Sequence, residues 1–142
     1  MGLMYQVVQR RDMRKGALEG DTLYYGMTKT RSIISFDKIT EAIARMSTAS
    51  SGDTRLVLKS LCTVMQDELD RGNTVELGDF GRFRMTAGST GAASEEDFHS
   101  GLFKKGHVIF TPGKPLKEVC AGISFEKVKK TADVEPEVDP EA

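Results

Sequence analysis

The most constraining feature of this sequence is a run of apolar residues at helical spacing that lasts about five turns. Its apolar positions are Leu56, Val57, Leu58, Leu61, Cys62, Val64, Met65 and Leu69. The run ends at Arg71 and Gly72, and glycine suits the left-handed conformation that closes a helix. An apolar face this wide predicts a helix that is buried on two sides. In a chain of 142 residues, the second side could be covered by another subunit.

A shorter helix is predicted just before this one. Ser35 can accept hydrogen bonds from the free amides of a helix start, and Asp37 favours the positive end of the helix dipole. Apolar residues then follow at helical spacing at Ile39, Ala42, Ile43 and Met46. A polar stretch over residues 47–52 separates the two helices. Within it, either Ser50 or Ser51 can cap the second helix.

After the second helix the pattern changes from helical spacing to alternation. Residues 74–77 and 82–85 each alternate apolar and polar side chains, so one face of the predicted hairpin can meet the helices. A segment rich in Gly, Ala, Ser and Thr then predicts a mobile loop or an extended arm over about residues 86–103. Residues 105–110 resume the sheet, and Pro115 opens a short helix. Together these elements predict an α+β fold.

The two ends of the chain differ from its middle. β-forming residues at 5–9 and 23–27 predict an N-terminal β extension. Further short extended runs are predicted at 32–34 and 123–125. The last residues alternate acids with prolines, which predicts a disordered acidic tail. The predicted boundaries are 1–34 for the extension, 35–128 for the central domain and 129–142 for the tail.

The net charge of −1 hides a gradient along the chain. Residues 1–34 hold six Lys/Arg and three Asp/Glu, residues 35–128 hold twelve and thirteen, and residues 129–142 hold two and five. The densest basic cluster consists of Arg10, Arg11, Arg14 and Lys15, in the predicted loop of the extension. This cluster could contact phosphate groups, or it could simply keep the extension in solution.

Membrane and metal-binding classes find no support in the sequence. No run of about 18 apolar residues occurs, which excludes a membrane-spanning helix. The N-terminus lacks the pattern of a signal peptide, so we expect a cytoplasmic protein. Cys62 and Cys120 have no partner ligands at suitable spacing, so no metal is expected. Cys62 is predicted to be a small core residue of the second helix.

No arrangement of residues typical of catalysis is present either. Asp79-Phe80-Gly81 matches the magnesium-binding triplet of kinases, but the nucleotide loop and catalytic loop of kinases are missing. His99 and His107 have no acid at a spacing typical of acid–base chemistry. We therefore expect no catalytic residues, no cofactor and no small-molecule substrate.

Two glycine and aromatic motifs carry a resemblance to a known family. After the second helix the sequence reads GNTVELGDFGRF, and after the predicted arm it reads FTPGKPLKEV. In this order and spacing, the motifs resemble the HU and integration host factor family of bacterial histone-like DNA-binding proteins. The resemblance covers about residues 35–121. The strand-rich extension resembles an HU-like branch found in Bacteroides-type bacteria.

This resemblance implies an HU-like fold and a DNA-binding homodimer. The fold has two N-terminal helices, a three-stranded antiparallel sheet with an extended β-arm, and a short C-terminal helix. Such dimers contact the phosphates of double-stranded DNA, reach around its minor groove and bend it within the nucleoid. By their positions in this sequence, the DNA-contacting residues would be Arg82, Arg84, Lys104, Lys105, Lys114 and Lys117.

The predicted arm departs from the family pattern. It contains no proline and no Lys/Arg, and the acidic run at residues 95–97 repels phosphate. Phe98, Leu102 or Phe103 could supply an apolar wedge, or they could cover the sheet. The alternative function is a structural or protein-interaction module on the same fold. This alternative gains if the predicted contact residues scatter, whereas DNA binding gains if they share one face.

Overall fold

The computed structural model describes residues 2–128, and the predicted acidic tail, residues 129–142, lies outside the described residues. The chain divides into two compact units. The sheet unit comprises the described residues up to Ile33 and from Ile123 onward, and the helical unit comprises Ile34–Gly122. The strands are β1 (Leu3–Arg11), β2 (Thr22–Lys29), β3 (Val75–Glu76), β4 (Gly81–Thr86), β5 (His107–Pro112) and β6 (Phe125–Lys127), and the helices are α1 (Phe36–Met46), α2 (Ser51–Asp70) and α3 (Lys114–Gly122).

In the sheet unit, β1 lies between β2 and β6. β2 pairs with β1 in the antiparallel sense, and β6 pairs with its first residues in parallel. The sequence groups residues 123–128 with the central domain, whereas the structure pairs this segment with the N-terminal extension. The physical reason is that β1 has a second edge of unpaired N–H and C=O groups, which a short strand can satisfy. Residues 32–34 form no strand, and Ile33 is 88% exposed.

In the helical unit, α1 and α2 begin at serine caps and α2 closes on a glycine. The side chain of Ser35 accepts a backbone N–H in the first turn of α1, at 3.3 Å. Ser50 and Asp53 form a capping box at the start of α2. Gly72 follows α2 with a φ of +81°, the left-handed conformation that glycine adopts without strain. The predicted helix ends are confirmed, with Ser50 rather than Ser51 at the second cap.

Helix α2 has a covered side and an uncovered side within this unit. The covered stripe contains two buried and three half-buried residues: Thr54, Leu69, Leu58, Leu61 and Met65. The uncovered stripe has side chains that are 66%, 65% and 56% exposed: Leu56, Val57 and Val64. Cys62, predicted to be a core residue, is also exposed, because the unit buries only one stripe of α2. Among the residues described, Leu69 is the only buried apolar side chain, and it is still 9% exposed.

The second sheet is antiparallel, with strand order β3-β4-β5. Regular pairing of β4 with β5 ends at Thr86 opposite His107. Beyond this point a single isolated bridge joins Ser89 to Phe103. Residues 86–103 therefore form a loop held by one bridge, not the extended β-arm that the resemblance implies. The segment has no alternation of apolar and polar residues, so a ribbon built from it would have no face to bury.

Candidate nucleic-acid interface

Two of the predicted contact residues, Arg82 and Arg84, lie on β4. Because side chains alternate along a strand, these two point to the same face of the sheet. Thr111 lies opposite Arg82 and Ile109 lies opposite Arg84, so the face continues onto β5. Both arginines are exposed. We call this face, defined by Arg82, Arg84 and their partners on β5, the basic strand face.

The other face of the same sheet is apolar, and it fixes the orientation of the basic strand face. The rings of Phe83 and Phe110 stack across β4 and β5 with centroids 4.9 Å apart. Met85 and Val108 lie on the same apolar face and line one cleft with Leu69 of α2. Since α2 contacts this face, alternation turns the two arginines of β4 away from the helix. The alternation predicted from the sequence is confirmed here.

The turn that precedes β4 packs tightly against the start of α3. Gly81 has a φ of +129°, and a Cβ at this position would overlap the carbonyl oxygen of Thr111. A Cβ at Gly113 would overlap the carbonyl oxygen of Asp79. The N–H of Gly113 donates to the carbonyl oxygen of Phe80 at 2.9 Å. Glycine is required at both positions because only it allows this approach, and the approach brings α3 beside β4.

The predicted contact residues of α3 are placed differently from one another. Lys117 lines a groove together with Arg82 and Glu76. In this groove, Nη2 of Arg82 lies 3.7 Å from Oε1 of Glu76, and both side chains are 64% exposed. An ion pair this exposed is weak, so Arg82 can exchange it for a phosphate. Lys114 is the exposed first residue of α3 and is not one of the residues that line this groove.

Lys104 and Lys105 lie at the base of the predicted arm, directly before β5. The N–H of Lys104 donates to the carbonyl oxygen of Gly88 at 2.7 Å, which closes the base of the loop. Both lysine side chains are exposed. His107 follows them on β5, opposite Thr86, and it lies on the basic strand face. The two lysines therefore lie in the chain just before the arm end of β5.

The tip of the arm is acidic, and its aromatic rings contact each other. Residues 95–97 are all exposed acids. Phe98 packs edge-on against Phe103, with ring centroids 5.5 Å apart. Leu102, between them in sequence, is half-buried. The rings thus cover one another within the loop, which favours the packing role over that of an apolar wedge.

Two residues of the basic strand face were absent from the predicted set. Thr111 lies opposite Arg82, and His107 lies opposite Thr86 at the arm end. A hydroxyl group and an imidazole can both donate hydrogen bonds to phosphate oxygens. Their signal in the sequence is the same alternation on β5 that identified Arg82 and Arg84 on β4. His107 is exposed.

The described part of the chain offers no metal site and no helix that could span a membrane. Within residues 2–128, no group of His, Cys, Asp and Glu is arranged to hold a metal ion. None of the helices in that range is long and apolar enough to cross a bilayer. Among the described residues, we therefore take the basic strand face as the candidate functional site.

Comparison with known proteins shows which family the chain is similar to. A family described as "HU domain fused to wHTH, Ig, or Glycine-rich motif" matches residues 1–127. No curated protein matches the chain. A crystal structure of a proposed bacterial DNA-binding protein from Bacteroides vulgatus is similar, with a TM-score of 0.57 and 19% sequence identity.

The match to the Bacteroides vulgatus structure concerns the fold and only part of that protein. It covers 89% of this chain and 47% of the other, so this chain spans about half the length of that protein. The family match, in contrast, extends over nearly all the described residues and includes both glycine and aromatic motifs. This chain therefore belongs to that family of HU domains.

Proposed function

We propose that this protein binds double-stranded DNA without sequence specificity, as a homodimer, and organises the nucleoid. One observation carries the proposal: Arg82 and Arg84 share the outward face of their sheet. Lys117 lines the groove beside Arg82, and Lys104 and Lys105 precede β5 at the end where Thr86 pairs with His107. Grouped and exposed Lys/Arg side chains attract phosphates whatever the base sequence. This role requires neither a catalytic group nor a cofactor.

The homodimer is supported by the uncovered stripe of α2. Val57 and Val64 are 65% and 56% exposed, and Met46 at the end of α1 is 82% exposed. Contiguous exposed apolar surface usually marks a protein interface. A second copy of the chain would cover this surface and supply the core that a single helical unit lacks. Two copies would also double the number of phosphate contacts.

The charges of the arm suggest how the duplex is held. In this proposal the DNA lies along the basic strand face, with Lys104 and Lys105 beside its backbone. The acidic run at residues 95–97 stays away from the phosphates because like charges repel. Phe98 remains packed against Phe103 instead of entering between base pairs. Any bending of the duplex then comes from phosphate contacts and not from an inserted side chain.

Family membership supports this proposal as well. HU domains resemble one another in fold, and the Bacteroides vulgatus protein of this fold is itself a proposed DNA-binding protein. Since this chain spans about half of that protein, the comparison supports the shared fold, and the DNA-binding role depends on the residues of the basic strand face.

Fluorescence anisotropy with a labelled random-sequence duplex tests the proposal. The basic-face variant combines Arg82→Ala, Arg84→Ala, Lys104→Ala and Lys105→Ala. At low salt we expect it to bind at least about tenfold more weakly than the unmodified protein, since it loses four phosphate contacts per chain.

A matched control removes the same charge from the helices. The helix-charge variant combines Lys38→Ala, Arg45→Ala, Lys59→Ala and Arg71→Ala, all exposed residues of α1, α2 or the α2 cap. We expect its duplex affinity to change by less than about threefold. Equal losses in both variants would show that binding follows net charge alone and would contradict the proposal.

A protein-interaction module is the second candidate, and one observation favours it. The helical unit holds eleven Lys/Arg and twelve Asp/Glu, with three of the acids exposed in a row at residues 95–97. A surface of this kind suits a basic protein partner better than phosphate. Absence of duplex binding at low salt, from a protein shown to be folded and dimeric, would favour this candidate.

A further inference from the structure

The sheet unit carries a positive charge that the helical unit lacks. Its described residues include seven Lys/Arg and four Asp/Glu, against eleven and twelve in Ile34–Gly122. Three of the four acids lie where the hairpin of β1 and β2 turns. Four of the seven basic residues are at this end: Arg10, Arg11, Arg14 and Lys15. The duplex-binding proposal makes no use of them.

A groove opens at the same end of the sheet. It is lined by Arg10, Arg11, Met13, Tyr25, Gly26 and Met27. The register explains the grouping, because Tyr25 lies opposite Val8 while Arg10 lies opposite Leu23. Arg10 and Tyr25 are therefore diagonal neighbours on one face of the hairpin. The side chain of Tyr25 is 43% exposed, so part of its ring is open to a ligand.

The loop beside the groove is held in one conformation by Asp12. Its buried carboxylate accepts hydrogen bonds from Nε of Arg14 at 3.1 Å and from Nη2 at 2.8 Å, and it also accepts the backbone N–H of Arg14 at 2.9 Å. These bonds lower the pKa of Asp12. The same side-chain hydrogen bonds raise the pKa of Arg14. Its side chain remains 71% exposed.

The acids of the same loop do not fill the groove. Asp21 is engaged within the loop, where its Oδ2 accepts the N–H of Leu18 at 2.9 Å. Its carbonyl oxygen accepts the N–H of Asp12 at 2.8 Å. The side chain of Glu19 is exposed in the loop and is not among the residues that line the groove.

We propose that this groove binds single-stranded nucleic acid, with a base stacked on Tyr25 and the flanking phosphates held by Arg10 and Arg11. The bases of a duplex already stack on each other, so an exposed ring beside Arg10 suits an unpaired base. Charge complementarity with the phosphates supplies the attraction. This site is separate from the basic strand face and does not depend on the duplex-binding proposal.

The test measures binding of the full chain to a labelled oligothymidine of about 12 nucleotides by fluorescence anisotropy. The combined variant Arg10→Gln and Arg11→Gln should bind at least about tenfold more weakly. Its plot of log affinity against log salt should also be shallower by about 1.4, the value for two lost contacts with a single strand. Tyr25→Ala should bind about fivefold more weakly or worse with little change in that slope, because stacking is not ionic.

Two controls come from the same sheet. The combined variant Lys29→Gln and Lys127→Gln removes equal charge from the opposite end of the sheet, where these residues pair with Met4 and Tyr5. Tyr24→Ala removes an equivalent ring from the opposite face, since Tyr24 lies opposite Gln9. Both controls should bind oligothymidine nearly as well as the unmodified protein.

Several results would overturn the assignment. The proposal fails if the lysine control loses as much affinity as the arginine variant, or if Tyr25→Ala binds normally. An oligoglutamate peptide that binds as tightly as oligothymidine, and equally depends on Tyr25, would assign the groove to an acidic protein segment. The basic-face variant should retain oligothymidine binding. This test can therefore be interpreted even if the duplex-binding proposal fails.

Discussion

The two units of this protein both contain a small three-stranded sheet, but they distribute charge in different ways. In the helical unit, Leu69 of α2 lines a cleft with the apolar face of the sheet, and alternation collects Arg82 and Arg84 on the other face. In the sheet unit, the hairpin turn collects basic residues at one end, around Tyr25. A net charge of −1 for the whole chain therefore says little about nucleic-acid binding, because local geometry decides where phosphates can be held.

The units also differ in what completes them. Within the described residues, the helical unit leaves Leu56, Val57 and Val64 exposed on α2. The sheet unit is closed by pairing, because β6 occupies part of the free edge of β1. One unit thus leaves an apolar surface open, whereas the other is completed by hydrogen bonds from its own chain. Substitutions in the two units should consequently have different consequences.

The largest effect is expected from charges placed on the uncovered stripe of α2. The combined variant Val57→Glu and Val64→Glu would put four unpaired carboxylates into the interface of a dimer, each costing several kcal/mol on burial. We expect a monomer at micromolar concentration in analytical ultracentrifugation, whereas we expect the unmodified protein to sediment as a dimer. Leu18→Glu, at a residue of the sheet unit that is 75% exposed, should leave the dimer intact. A dimer that survives both valine substitutions would contradict the proposed interface.

The next-largest effect is expected from alanine substitutions at two glycines. Both have a strained backbone conformation for alanine, but at only one of them would the new Cβ also overlap another residue. Gly81 has a positive φ and also lies against the carbonyl of Thr111, whereas Gly16 has a φ of +92° with open space around it. Gly81→Ala should destabilise the helical unit by about 3 kcal/mol or more, and Gly16→Ala should cost the sheet unit about 1 kcal/mol. Thermal unfolding followed by circular dichroism should show the larger shift, on the order of 10 °C, for Gly81→Ala. Equal shifts would mean that α3 does not pack against this turn as described.

The smallest effect concerns the pH dependence of the loop in the sheet unit. Hydrogen bonds from Arg14 hold the pKa of Asp12 below its ordinary value of 3.8. The ion pair therefore stabilises the loop above pH 3.8, and this contribution is lost as the pH falls through the lower folded pKa. Arg14→Gln should return the pKa of Asp12 toward 3.8, as measured by NMR titration of the carboxyl carbon. An unchanged pKa would show that Arg14 does not hold this carboxylate.

Local patterns were the predictable part of the fold. The caps at Ser35 and Ser50, the end of α2 at Gly72 and the shared face of Arg82 and Arg84 all follow from short-range chemistry. Each depends on residues only a few positions apart, where helical or strand geometry fixes which side chains meet. The family resemblance, based on two short motifs, is confirmed by the match over residues 1–127.

The unpredicted features depend on contacts between distant segments. β6 pairs with β1 across most of the chain, and three strand residues carry too little pattern to identify such a partner. The extended arm was expected from the resemblance, although the residues after Thr86 offer no face for a ribbon to bury. Likewise, the sequence spacing could not predict that Lys117 lines a groove with Arg82 while Lys114 does not. That difference comes from the packing of α3 on the turn.

The most direct test of the central claim is the salt dependence of duplex binding. In a dimer, Arg82, Arg84, Lys104 and Lys105 from both copies would give about eight phosphate contacts and a log–log slope of about −7. We expect the basic-face variant to show a slope shallower by several units, and the helix-charge variant to keep the slope of the unmodified protein. Parallel slopes for the unmodified protein and the basic-face variant would contradict the claim that these four residues hold the duplex.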